Sequence, residues 1–272
     1  MDKINRTAPP PCRLHGFLAS EAPIGVLLRR GPSKQVQLIK WNTQDDTFEQ
    51  GQWFKGRVYE NWSDLSPDGT KFIYLATKHD GKYRQDAKIG YYYGVVCKPP
   101  YFTALAVWNG WKSGTPGYFL ANNTLSRESL PLPVAPIFKP GKGRFPNDWR
   151  FVVIENKPHA SLRSRTLERD GWILNARDGS HEKQHSSATY NLKRKQSAGN
   201  LIYSISMGSQ IHLLERADWA DIDQRERLVL TRDGKVFACE PEKNSIDAAI
   251  ELADFNDSKF EPIAAPDWAK TW

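Results

Sequence analysis

Sulfur is scarce in this sequence, with three cysteines and two methionines among 272 residues. Cys12, Cys97 and Cys239 are odd in number and far apart. That spacing argues against a disulfide framework and favours a reducing, cytoplasmic setting. Cys97 and Cys239 sit inside apolar strand patterns, where a thiol acts as a small hydrophobe. No apolar run approaches the ~20 residues a membrane-spanning helix needs. Residues 1–11 are polar and Pro-rich, without the apolar centre of a secretory signal, and read as a disordered tail. Asn61-Trp62-Ser63 and Asn122-Asn123-Thr124 match the glycosylation pattern, which carries no weight without a secretory route. Also missing are a Gly-x-Ser-x-Gly turn, a phosphate-cradling glycine loop and any nucleophile-and-base set. The acid groupings, Asp45-Asp46 and Asp218 with Asp221 and Asp223, read as turn or surface acids, and Asp64 and Asp148 as acceptors for backbone amides. The expectation is a chain that is not an enzyme and has no cofactor.

Aromatics, by contrast, are plentiful: ten Trp, ten Tyr and twelve Phe. Such residues fill pleated surfaces well. The most informative stretch is Asp64–Thr77, in which a strand enters Ser66-Pro67-Asp68-Gly69 and leaves as the wholly apolar Phe72–Ala76. Pro67 presets φ, Asp68 bonds its own backbone and Gly69 accepts positive φ. An exit strand with no polar side must be covered on both faces. Weaker copies lie at Leu167–Leu174, around Asp170-Gly171, and at Leu230–Cys239, around Asp233-Gly234.

The Leu65–Leu75 segment resembles the first two strands of a TolB-like or WD-like β-propeller blade. The whole pattern also resembles an uncharacterised bacterial family, through Arg30-Gly31-Pro32-Ser33-Lys34, Gly51-Gln52-Trp53-Phe54-Lys55-Gly56-Arg57-Val58-Tyr59 and Ala265-Pro266-Asp267-Trp268-Ala269. The resemblance implies an all-β propeller of antiparallel four-stranded blades and brings no activity with it. Strand candidates run from Arg13–Leu18 through Ile24–Arg30, Val36–Trp41 and Thr47–Phe54, then from Val58–Ser66 to Tyr118–Ala121. They continue as Phe151–Ile154, Ser161–Leu167, Trp172–Ala176, Thr189–Lys193, Leu201–Ser206 and Ile211–Glu215. Arg227–Thr231, Lys235–Glu240, Ala248–Asp254 and Lys259–Ile263 make the last set, while the charged Arg216–Glu226 reads as loop. About twenty strands at four per blade give about five blades, with four or six as alternatives. Residues 12–272 form one domain, interrupted by a Pro-rich insert at 129–149.

The net charge of +7 is confined to residues 137–200, about a quarter of the chain, which hold 13 Lys and Arg against six Asp and Glu while the rest is balanced. That imbalance points to an acidic partner. Read as a strand, Ser161–Leu167 and its continuation put Arg163, Arg165 and Arg169 on one face. Lys193, Arg194 and Lys195 end a later strand, and Lys142 and Arg144 flank the insert. A second basic group, Arg30, Lys34, Lys55 and Arg57, is interleaved with Trp53, a composition common at interface hot spots. The expected role is a non-catalytic interaction or scaffold module, an accessory subunit docking an acidic protein through a basic face. The first alternative is nucleic-acid binding through 139–195, with Trp149 or Phe145 stacking on bases. The second is a zinc hydrolase built on His181-Glu182-Lys183-Gln184-His185, whose H-E-x-x-H spacing ligates zinc when helical. Its turn-forming flanks place those five residues instead at a solvated hairpin tip.

Overall fold

At Ser66–Lys71 the expected turn forms. The Asp68 carboxylate accepts from the Ser66 hydroxyl, the Thr70 amide and the Thr70 hydroxyl, and the Lys71 amide donates to Ser66 Oγ at 2.9 Å. Gly69 has φ +70°, and a Cβ there would come within 2.7 Å of the Ile24 side chain. Only glycine meets both conditions. The exit strand, Phe72–Thr77, is buried at every residue. Phe72, Tyr74 and Ala76 enter one core, and Ile73 enters another on the opposite face.

The computed structural model describes residues 10–31, 35–77, 92–109, 117–128, 145–154, 159–187, 189–240 and 249–272. They form a five-bladed β-propeller. Blade 1 contains β1 (Arg13–Leu18), β2 (Ile24–Arg30), β3 (Gln35–Asn42) and β4 (Thr47–Lys55). Blade 2 contains β5 (Arg57–Leu65), β6 (Phe72–Thr77), β7 (Tyr92–Cys97) and β8 (Ala104–Asn109). Among the described residues blade 3 contains β9 (Tyr118–Ala121), β10 (Thr124–Glu128) and β11 (Arg150–Ile154), and β11 runs parallel to β10. After helix α1 (His159–Arg169), blade 4 has five strands: β12 (Ile173–Leu174), β13 (His181–Gln184), β14 (Asn191–Ser197), β15 (Asn200–Met207) and β16 (Gln210–Leu213). Blade 5 contains β17 (Trp219–Ile222), β18 (Leu228–Arg232), β19 (Lys235–Cys239) and β20 (Ile250–Asp254).

Hydrophobic cores lie between the blades. One joins blades 1 and 2, one blades 2 and 3, one blades 4 and 5, and one blades 5 and 1. Among the described residues no corresponding core joins blades 3 and 4. There α1 stands between the sheets, packed on β9 and β12.

Several segments differ from the sequence reading. Ser161–Leu167 is part of α1 rather than a strand. Its alanine, leucine, arginine and glutamate content favours a helix, and burial falls on Thr166 and Leu167 with partial burial at Arg163 and Asp170, a helical stripe. The Asp170-Gly171 pair ends this helix instead of turning a hairpin. Gly171 has φ +85°, its amide donates to Glu168 O, and the Trp172 amide reaches back to Leu167 O at 2.8 Å. Within the charged stretch 216–226, Trp219–Ile222 forms the fully buried β17, so blade 5 starts one strand earlier than expected. Lys259–Ile263 is correspondingly not a strand.

Among the described residues no sheet contains strands from both ends of the ring. Blades 1 and 5 are joined instead by side chains. The Thr231 hydroxyl donates to Leu14 O at 2.7 Å, Arg29 donates to Phe255 O at 3.0 Å, and Arg227 bridges Asp223 and Asp46. Residues 255–272 then cross the neighbouring blades as a strap. Phe260 packs on Trp53, Ile263 O accepts from Gln52 at 2.8 Å, Trp268 meets Tyr101, and Trp272 packs on Phe145 and Trp149.

Candidate functional site

Helix α1 organises the site because its arginines project in different directions. Arg169, at its last turn, is saturated. Its guanidinium donates to both Asp64 oxygens at 3.0 Å, to Phe119 O at 2.6 Å and to Asp170 at 2.7 and 2.9 Å. Asp64 also accepts the Phe119 amide at 2.8 Å, an amide of β9 in the next blade rather than of its own turn, so the group ties α1 to blades 2 and 3. Burial is the largest influence on Asp170 and pushes its carboxyl up to about 6, against the Arg169 charge. Arg165 is exposed. Arg163 points inward, with one nitrogen 3.4 Å from Ser63 O.

Facing Arg163 across the ring is blade 4. There β13 and β14 set His181 directly opposite Arg194, and Arg194 directly opposite Tyr203 on β15. Arg194 lies over the Trp172 ring at 5.6 Å. The Lys193-Arg194-Lys195 triplet is therefore split by the strand's alternation. Lys193 and Lys195 occupy the other face, paired with Asp178 at 3.0 and 3.5 Å, and Lys193 also with Glu182 at 3.3 Å. His15 of β1 packs edge-on to Phe17, beside Arg13, Arg30, Glu60 and Asp218. Burial holds its imidazole well below the usual range, and Arg163, Arg194, Arg30 and Arg13 lower it further.

That second face of blade 4 is open. One row across all five strands reads Ile173, Glu182, Lys193, Ser204, Leu213, and the adjoining rows add Ile202 and Ile211. Ile173 is 68% exposed, Ile202 43%, Ile211 76% and Leu213 57%. The opposite face buries Leu192, Tyr203 and Ile205 against blade 5. The sequence reading assigned these exposed aliphatics to ordinary strand faces. Their exposure follows from the missing blade 3–blade 4 core, which strand patterns alone do not reveal.

The first-blade group is dispersed over other contacts. Arg30 pairs with Glu60 at 3.0 Å, and Lys55 lies over Phe260 at 4.4 Å. Arg57 lies over its neighbour Tyr59 at 4.6 Å, and Trp53 carries Arg29 at 5.2 Å. Lys34, Lys142 and Arg144 lie outside the described residues. Trp149 and Phe145 pack with Trp272, and Trp149 is buried, which removes its ring face from base stacking. The basic residues of 139–195 form no continuous track among the described residues.

His181–Gln184 is the strand β13, not a helix and not a hairpin tip. In extended chain the two histidines lie about 13 Å apart rather than one helical turn. Each has its own partners. His181 Nε2 is 3.3 Å from Ser164 Oγ, whereas His185 is buried on Tyr190 with Ser187 Oγ 2.7 Å from its Nδ1. The helical zinc geometry is thus not formed, and no group of three His, Cys, Asp or Glu among the described residues is placed to hold a metal.

No known family description matches the chain, and no curated protein matches it either. Among solved structures, the β-propeller domain of the Trilobed protease from Pyrococcus furiosus is similar at 10% identity and a TM-score of 0.33, covering 91% of this chain and 100% of that one. An uncharacterized protein of Listeria monocytogenes EGD-e has 11% identity and a TM-score of 0.26, over 98% of this chain and 89% of its own. The tricorn protease has 8% identity and a TM-score of 0.22, covering 94% of this chain and 23% of that one.

Proposed function

We propose that the chain is a non-catalytic interaction module that docks an acidic protein partner on the open face of blade 4. The observation supporting this is the exposure of Ile173, Ile202, Ile211 and Leu213 on one sheet face. Apolar side chains grouped at a surface mark contact sites more often than chance exposure does. On this face Lys193 and Lys195 are balanced by Asp178 and Glu182. Affinity then comes from apolar burial, while the chain's net charge of +7 steers an acidic partner toward it.

The test is cross-linked capture by the full chain, followed by rebinding of the purified partner to variants. Ile211→Asp with Leu213→Asp is expected to abolish rebinding, whereas Lys55→Glu with Arg57→Glu keeps it. Rebinding unchanged by the blade 4 pair would overturn this reading. Binding of single-stranded DNA with a steep salt dependence, flattened by Lys193→Ala and Lys195→Ala, would favour nucleic acid instead.

A further inference from the structure

The outermost strand of blade 4 presents an edge that the chain leaves open. β16 ends its sheet, and the turn before it is Gly208-Ser209 alone, because Met207 pairs with Gln210. A two-residue hairpin closes on a hydrogen-bonded pair, and such pairs then alternate along the ladder. Bonded pairs therefore recur at Ile205–His212 and at Tyr203–Leu214, where the Leu214 amide donates to Tyr203 O at 2.9 Å. Ile211 and Leu213 turn their N–H and C=O groups the other way, and among the described residues those groups have no partner. Ile211 is also the most exposed large apolar side chain among the described residues, at 76%. Other outer strands are protected. On β4 the Gln52 amide donates to Pro100 O at 3.0 Å and the 255–272 strap lies alongside, while β20 carries Glu251 and Asp254. By contrast, β16 is Gln210-Ile211-His212-Leu213, with no lysine, carboxylate or proline to repel a further strand.

The chemistry of this edge selects an extended backbone, and its symmetry selects which one. The free groups sit one residue to either side of His212. An antiparallel copy of β16 centred on that residue sets Ile211 opposite Leu213 of the partner subunit, so that each N–H finds a C=O, and reciprocally. The same register puts the two aliphatics side by side on one face and opposes no lysine, arginine or carboxylate, since β16 has none. We propose that β16 is the seam of a homodimer in which the blade 4 sheets of two copies join antiparallel across a two-fold axis at His212. Pairing uses up both edges, so association closes at two chains. It covers neither face of the sheet. The docking face proposed above then continues across the axis, and the dimer does not depend on that docking.

Sedimentation velocity of the full chain over a concentration series tests this. A reversible monomer–dimer equilibrium is expected, with no larger species. Ile211→Pro removes an outward N–H and leaves the ladder to β15 intact. By symmetry it deletes a seam bond in each direction, so dimerisation should weaken roughly tenfold. His212→Asp and His212→Lys each set like charges opposite one another and should dimerise less than the wild type when alone. Mixed, they should recover the dimer. Hydrogen exchange of the wild type gives a readout that needs no variant. In dilute solution the amides of Ile211 and Leu213 should exchange fast beside slow His212 and Leu214, and become protected as concentration rises. Ile173→Asp, on the docking face at the far side of the sheet, should leave the dimer unchanged, so loss of docking and loss of dimerisation are read separately. A monomer at every concentration, an open-ended assembly, dimerisation unaffected by Ile211→Pro, or histidine variants that fail to associate when mixed would each overturn the proposal. So would Ile211 and Leu213 amides that stay fast at high concentration.

Discussion

The boundary between blades 1 and 2 and the boundary between blades 3 and 4 solve the same geometric problem differently. At the first, strand faces meet directly: Val26, Leu28, Val36 and Leu38 pack on Val58, Phe72, Tyr74 and Val95. At the second, one helix packs on β9 and β12, with Arg169 tying it to Asp64 of blade 2 and Phe119 of blade 3, and the outward face of blade 4 stays open. The difference lies in side chains. β6 is apolar at every position but the last and demands cover on both sides, whereas β14 and β15 alternate buried apolar residues with lysine and serine. Among the described residues the ring thus has a helix in place of a shared apolar core at one of its five boundaries.

Substitutions can sharpen that contrast. Phe72→Ala, in the direct interface, carries the largest expected effect. It removes a fully buried ring that packs edge-on to Phe17, and should lower unfolding stability by about 3–5 kcal/mol in urea. Arg169→Ala comes next, at about 3 kcal/mol, because it strands two carboxylates that were bonded to one guanidinium. Its loss should speed amide exchange in β9 and β12 while leaving β6 protected. Equal deprotection of β6 would show that the two boundaries are not independent. Ile211→Ser, on the open face, should shift stability by less than about 0.5 kcal/mol. A loss of several kcal/mol there would mean the face is part of a core.

Local chemistry that depends on neighbours in sequence was legible. Ser66–Gly69 demanded a turn, and the apolar run after it demanded two covers; both are present. Asp170-Gly171 was legible only as a place where φ turns positive. A hairpin and a helix stop place the same demand on glycine, and the helical stripe of Thr166 and Leu167 decides between them. β17 was hidden because Trp219–Ile222 is set among charged residues, of which Arg216, Asp218 and Arg225 have partners distant in sequence. For the same reason the basic excess was visible in 137–200 but its division was not. Which charges are paired with acids, as at Lys193, and which lie over an aromatic ring, as at Arg194, depends on strand parity and on the residues that the neighbouring strands and loops bring up.

The way the ring is fastened has a mechanical consequence. First and last blades share no backbone ladder among the described residues; they are held by Thr231, Arg29 and Arg227, and the segment through Phe260, Trp268 and Trp272 lies across blades 1, 2 and 3 like the tongue of a buckle. Parting that seam costs side-chain contacts but breaks no strand pairing. The circle can be undone while all five of its sheets remain whole.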